Sequence, residues 1–533
     1  MTLIKTYADG TTPKVAIIGA GPSGICAAIQ LQRQLQLTTY TVFELEADVG
    51  GTWFNNTYPG AGLDAPAYLY GYSFAPNYDW SSKYVPQSEV LAYFRSTART
   101  YNIYDKIRFN TRVTTMKWNE GRKKWVLHWV NSRSNEEGDT EVDVVIHGTG
   151  LLRVPKIPKE FESFQGDMWH SARWNHSVDL TGKRVGVVGT SASGVQIIPA
   201  IADKVETLDV YGRSPAYIIP QFNSEYGRTW RFFCRYIPFF HLLYVSLQYL
   251  FTDANILLYH KLAWNSIIHR TIAYFVTWFH RFTQLPNDPT LRRKLTPQYD
   301  IASRRTVLSD TYHPTFKRDN VSLHVDEIVS VKGNTIETAD GSFRELDVLV
   351  LATGFDWFQC FPPGYWFGRG GIDIPVNWGE NVTTYYGTCA PNAPNFFLVW
   401  GPNSGIAHHS LTVIIETQVK YIVRSLSYMM QNDLATMEVT QEAADEFLDT
   451  MDRRMAKMQF TTKVKPKFLN SKGQCRGFWY GSVSEFWWRL RNLHTERFLV
   501  ESRKEAGEKS FSHLNGTKDE KDEIIEEQMR FEI

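Results

Sequence analysis

Paired cysteines are what this chain lacks first. Its five cysteines, Cys26, Cys234, Cys360, Cys389 and Cys475, are scattered over 533 residues without a CxxC, so neither a disulfide framework nor a metal site is expected. An excess of one charge is also missing. With 57 basic and 56 acidic residues the formal charge is +1, which gives no electrostatic footprint for nucleic acid and no polybasic case for anionic membranes. Long apolar runs are absent as well. The stretch before Pro13 lacks the basic start and unbroken apolar region of a secretory signal. The nearest approach to a membrane span, Tyr236 to Phe251, is shorter than the roughly 18 apolar residues a span needs and contains Pro238, His241 and Gln248. The chain therefore reads as cytoplasmic, with small molecules as its partners, no transmembrane segment, and contact with a membrane surface and oligomeric state left open.

What is present is length enough for about two or three domains and two nucleotide-binding units. Val15 to Ile18 is an apolar run followed by GAGPSG and an alanine-rich, helix-favouring stretch, which reads as strand, tight turn and helix. Gly19 permits the turn, Gly21 lets backbone approach a pyrophosphate, and Gly24 allows the helix to pack on the strand. Glu44, closing the strand YTVFE, stands where an acid should hold ribose hydroxyls. A second copy runs through Gly189-Thr190-Ser191-Ala-Ser-Gly194 to Gln196, with Ser191 in the place of the middle glycine. The same spacing leads there to Arg213 and Ser214, and an arginine suits the extra 2′-phosphate of NADP(H). The first unit thus points to FAD and the second to NADPH.

The expected fold is α/β, with two Rossmann-like domains, the NADP domain inserted in the FAD domain, and a helical insertion. Residues 1–150 and 353–500 form the FAD domain and residues 151–216 and 297–352 the NADP domain. Residues 217–296, rich in aromatic and aliphatic side chains without strand alternation, form the insertion, and residues 501–533 are a charged, flexible tail.

Between the glycine turns lie Phe164, Gly166, His170 and Trp174, and this segment resembles the FxGxxxHxxxW(P/D) fingerprint of Baeyer–Villiger monooxygenases, with Asn175 where the family has Pro or Asp. Gly50-Gly51-Thr-Trp53, Tyr58-Pro59-Gly60 and Asp64 resemble the family's GGxWxxxx(F/Y)PGxxxD signature, and ATGFD follows at Ala352. The resemblance covers the chain to about residue 500. It implies an NADPH-dependent flavin monooxygenase that inserts one oxygen atom of O2 beside the carbonyl of a ketone, through a flavin C4a-peroxide, to give an ester or lactone. A fixed cation beside the flavin keeps such a peroxide unprotonated, and arginine suits the task. By the resemblance Arg305 is that catalytic arginine, Asp64 orients it, and Arg304 contacts the NADP 2′-phosphate. Trp53 and Tyr70 line the flavin, as does Gly51. The fingerprint residues, His170 among them, serve a positional role in the linker between domains. The aromatic insertion suggests a hydrophobic, secondary-metabolite-like ketone.

Three rivals stand beside this reading. A sister enzyme oxygenating nitrogen or sulfur shares most motifs, with Trp174, Asp64 and Arg305 favouring ketone insertion. A flavin disulfide reductase needs an early redox cysteine pair, and Cys26 is alone. A non-catalytic FAD-binding module would have no use for Asp64 and Arg305.

Overall fold

The computed structural model describes residues 3–259, 288–299, 303–458 and 469–506, with Thr271 and Tyr274. The rest of the expected helical insertion and most of the expected tail lie outside the described residues.

Val15–Ile18 is buried along its whole length, as a strand covered on both faces must be, and this is why it reads as a continuous apolar run instead of an alternation. It sits at the centre of a parallel sheet in the order Phe396–Leu398, Val144–His147, Val15–Ile18, Tyr40–Phe43, Ile107–Arg108. The helices Pro22–Leu35 and Leu411–Gln431 cover one face. On the other face Ala16, Ile18 and Phe43 pack against Met116, Trp125 and Leu127 of a smaller sheet built from Trp366–Phe367, Thr111–Asn119, Lys124–Asn131 and Glu137–Val142.

A second parallel sheet has the order Val321–His324, Thr207–Tyr211, Arg184–Val188, Val348–Leu351, Asp167–His170. All its strands fall between His147 and Phe396 in sequence, so the chain leaves the first sheet, completes the second, and returns. The expected α/β architecture, one Rossmann-like unit set within another, is therefore present. The two crossings pair with each other: Lys156 N–H donates to Gly354 O at 2.8 Å and Asp356 N–H to Val154 O at 2.9 Å, around an antiparallel bridge between Pro155 and Phe355.

Helices Arg228–Tyr236 and Pro238–Ala254 interrupt the second unit in sequence but pack on the first, where Tyr68 meets Tyr226 and Tyr244 edge-on. Near the C-terminus Phe498–Ser502 pairs antiparallel with Leu434–Val439, so Glu501 and Ser502, the first residues of the charged stretch, belong to a strand.

Candidate active site

The first glycine turn separates what the fold demands from what it merely allows. Gly19 has φ +96, and a Cβ there would sit 3.0 Å from Gly148 O; a Cβ on Gly24 would sit 1.8 Å from Gly19 O. Neither position accepts a side chain. Gly21 differs, with an ordinary φ of −75 and its nearest neighbour, Gly51 Cα, 3.5 Å from a built Cβ. The protein itself has room for a methyl group there, so the bare backbone serves something the turn faces. The helix Pro22–Leu35 starts beside it without a side-chain cap, leaving N–H groups and the positive end of the dipole for an anion. These features fit the pyrophosphate of a dinucleotide.

Glu44 lies at the end of Tyr40–Phe43, nearly fully buried. Its Oε2 accepts from Ala20 N–H at 2.5 Å and its Oε1 from Glu46 N–H at 2.8 Å. Burial raises its pKa from 4.5 to about 6, partly offset by those backbone donors. The acid therefore braces the glycine turn, and its remaining lone pairs are what a ribose would meet. Gly51, with φ +55, would bring a Cβ to 2.9 Å from Gly21 Cα, so the Gly50-Gly51 loop closes over the turn. Trp53 Nε1 donates to Tyr70 OH at 3.0 Å, with the rings edge-on at 5.7 Å, and burial pushes the Tyr70 hydroxyl pKa up.

In the second turn Gly189 has φ +115 with Ala352 O 2.3 Å from a built Cβ, and Gly194 would meet Gly189 O at 2.0 Å. The outer glycines are again obligatory, while Ser191 holds the middle place with an ordinary φ of −95 and caps nothing with its hydroxyl. Thr190 lies against Gly212, where a Cβ would come within 2.4 Å of its methyl group, and its hydroxyl is 3.4 Å from Ser214 O. Arg213 is exposed and paired with Glu327 at 3.1 Å. Gln196, expected beside the cofactor, spans the two units: its Oε1 accepts from Tyr58 OH at 2.9 Å and its Nε2 donates to Gly62 O at 3.0 Å. Gly60 comes so close that a Cβ would lie 2.4 Å from Gln196 O. Sequence reading left Tyr58 and Gly60 without a role; here they dock the first unit onto the helix Ala192–Ile201. A cleft of about 790 Å³ opens beside this contact, lined by Gly62, Tyr84 and Val85 on one side and by Gln196, Ala200 and Thr311 on the other.

Arg305 Nη2 donates to Asp64 Oδ2 at 2.6 Å, joining residues 241 positions apart. Both are partly exposed. The neighbouring Arg304 turns away and lies over the Tyr299 ring at 5.0 Å.

Three of the fingerprint residues pack inside the second unit, and His170 alone touches a crossing. Phe164 is buried, and a Cβ on Gly166 would meet the Phe164 ring at 2.8 Å and Asp347 O at 2.7 Å. Trp174 packs edge-on against Trp169 at 5.5 Å. Buried His170 bonds Gly354 O through Nε2 at 3.0 Å and accepts from Ala172 N–H through Nδ1 at 3.1 Å. Desolvation lowers its pKa, which fits a neutral ring with the proton on Nε2. Asn175 Oδ1 accepts from Ser177 N–H at 3.0 Å and Ser177 Oγ at 2.6 Å, a turn that an aspartate would close in the same way. Arg173, unnoticed in the sequence, reaches Asn55 at 2.7 Å and Glu46 at 3.2 Å in the first unit. All five cysteines are free and buried, and burial drives the Cys26 thiol pKa up, which leaves no dithiol for a disulfide reductase.

The flavin-binding monooxygenase-like family matches residues 12–254. A Baeyer–Villiger monooxygenase of Pseudomonas aeruginosa is 32% identical over 503 residues, covering 92% of each chain. The chain belongs to the Baeyer–Villiger monooxygenase family. Among solved structures, the NADP+-bound cyclohexanone monooxygenase from Rhodococcus sp. Phi1 aligns with a TM-score of 0.78 and 26% identity, over 92% of this chain and 99% of that one. An OTEMO complex with FAD and NADP gives a TM-score of 0.79 and 27% identity, over 93% and 100%. As a Baeyer–Villiger monooxygenase the chain is an NADPH-dependent flavoenzyme with FAD as its prosthetic group.

Proposed function

We propose that this enzyme inserts one atom of O2 next to the carbonyl of a hydrophobic ketone, with the FAD pyrophosphate on the turn Gly19–Gly24 and NADPH on the turn Gly189–Gly194. The observation that carries the reading is the 2.6 Å contact between Arg305 and Asp64. FAD, once reduced by NADPH, supplies the activation of O2. The protein must then hold a cation where negative charge develops as the ketone carbonyl is attacked, and must fix that cation before the reaction begins. Asp64 engages one amino group of a guanidinium that carries five N–H donors, so the fork is oriented while its other donors remain for reacting oxygen atoms. Trp53 and Tyr70, locked by their mutual hydrogen bond, form the apolar wall beside this pair. Arg213 and Ser214 receive the 2′-phosphate of NADPH, for which Glu327 must release Arg213. Arg304 serves the same phosphate when it leaves the Tyr299 ring.

Replacing Arg305 tests the proposal. In Arg305→Ala, turnover of ketones followed by product analysis should fall about a hundredfold or more, the magnitude for loss of a preorganised charge, while anaerobic reduction of FAD by NADPH continues. Ketone oxidation at the wild-type rate would sink the assignment. Retained oxidation of amines or sulfides with ketone activity gone would show that Arg305 is specific to carbonyl insertion.

A further inference from the structure

Polarity is inverted across the helix Pro238–Ala254. The face turned to the protein carries its hydrogen-bonding groups: Tyr244 OH meets Tyr226 OH at 2.8 Å, Tyr249 OH meets Ser484 Oγ at 3.2 Å, and Asp253 accepts from Val483 N–H at 2.7 Å and Ser484 N–H at 3.2 Å. The outward face carries Phe239, Leu242, Leu243, Leu247, Leu250 and Phe251, all exposed, the two phenylalanines at 73%. These recur at spacings of three and four, so they form one continuous stripe. The stripe continues onto Arg228–Tyr236 through exposed Phe232 and Tyr236, whose rings lie 4.9 Å apart. A surface helix ordinarily shows the opposite arrangement, and an apolar patch of this extent marks a contact surface.

The surrounding chemistry selects the partner. Arg228–Tyr236 contains three arginines and no acid, whereas Pro238–Ala254 contains no lysine or arginine and its one acid, Asp253, is turned inward. An uncharged apolar centre thus borders a helix on which Arg228 and Arg235 are exposed and Arg231 is half-buried, although the whole chain is nearly neutral. Arg235 pairs with Asp79, and Arg228 is exposed. Asp253 also seats the N-terminus of Val483–Leu490, a helix that exposes Trp487 and Trp488, with the Arg491 guanidinium 3.2 Å from the Trp488 ring. Tryptophan and arginine side by side suit the boundary between lipid headgroups and acyl chains. No described helix is long and apolar enough to cross a membrane, so a helix of this kind lies in the interface plane.

We propose that this face docks the enzyme on an anionic lipid bilayer, with the leucines and phenylalanines among the acyl chains and the arginines at the phosphates. The inference is independent of the ketone chemistry. Full-length holoenzyme is sedimented with vesicles of phosphatidylcholine alone or mixed with phosphatidylserine. Wild type is expected to partition preferentially to the mixed vesicles, and Leu247→Glu/Leu250→Glu to lose about tenfold or more of that partitioning, with FAD content and NADPH oxidation unchanged. Arg228→Gln is expected to weaken binding to the mixed vesicles by about fivefold and leave the rest intact. Wild type absent from both pellets would overturn the proposal. So would a wild-type dimer that the double substitution makes monomeric, which would assign the face to a second copy, or a double variant that loses FAD and melts early, which would assign it to the chain's own core.

Discussion

The two glycine turns share a backbone and differ in nearly everything placed around it. Both demand glycine at the first and last positions, where a Cβ would strike backbone. Only the first also has glycine in the middle, and only the first is backed by a buried acid whose two oxygens hold the surrounding N–H groups. The second has Ser191 in that place and an arginine with 72% of its side chain exposed, borrowed by Glu327. A turn closed over by the Gly50-Gly51 loop and braced from beneath suits a group that stays. A turn with a small side chain, an open rim and an exposed ion pair suits one that comes and goes, as a redox substrate must on every cycle.

The largest break in this comparison should come from Gly24→Ala, where the new methyl meets Gly19 O at 1.8 Å. We expect misfolding, at a cost above about 4 kcal/mol, read as loss of soluble yellow protein. Gly21→Ala should instead fold with an almost unchanged melting temperature for the apoprotein, since a Cβ there meets nothing nearer than 3.5 Å, yet weaken FAD binding by about a hundredfold, as the proposed seat of the pyrophosphate on this turn requires. Equal damage from both substitutions would erase the distinction between the fold's glycines and the cofactor's. In the second turn, Arg213→Ala should raise the KM for NADPH by about tenfold to a hundredfold, the worth of a charge-assisted phosphate contact, and leave the KM for NADH where it was. Parallel changes for the two nucleotides would remove Arg213 from the phosphate site.

The smallest effect is a pH signature. Glu44 has a folded-state pKa raised from 4.5 to about 6, so the folded protein binds the proton more tightly than the unfolded chain. Its contribution is present below pH 4.5 and is lost as pH rises to 6, an effect of no more than about 2 kcal/mol. Denaturant unfolding of the apoprotein between those pH values should show this falling component, and Glu44→Gln should lack it. An identical slope in the variant would place the titration elsewhere.

Legibility in the sequence followed range. Val15–Ile18 was readable because a strand buried on both faces is apolar at every position. Gly19, Gly24 and Glu44 were readable because a tight turn and the acid after it are local. The pairing of Arg305 with Asp64 spans 241 residues, and no pattern of spacing reveals it; it entered through family resemblance alone. Gln196 was expected beside the cofactor and was found reaching across to Tyr58 and Gly62, because a helix residue two positions past a glycine turn reads the same whichever unit it faces. The run Tyr236 to Phe251 was judged by length, which excludes a span but does not say which face of the helix meets protein. The inward placement of Tyr244, Tyr249 and Asp253 depends on partners at Tyr226 and Ser484, up to 235 residues away.

The paired crossings between the two units set how one can move against the other. Two separate cords would let the second unit swing and twist freely. Here Lys156 is bonded to Gly354 and Asp356 to Val154, and His170 ties Gly354 to the edge strand of the second sheet. The connection is therefore one two-stranded ribbon instead of two independent cords. Any displacement of one unit against the other must carry both crossings together, and must also act on the contacts that Gln196, Arg173 and Arg305 make across the boundary.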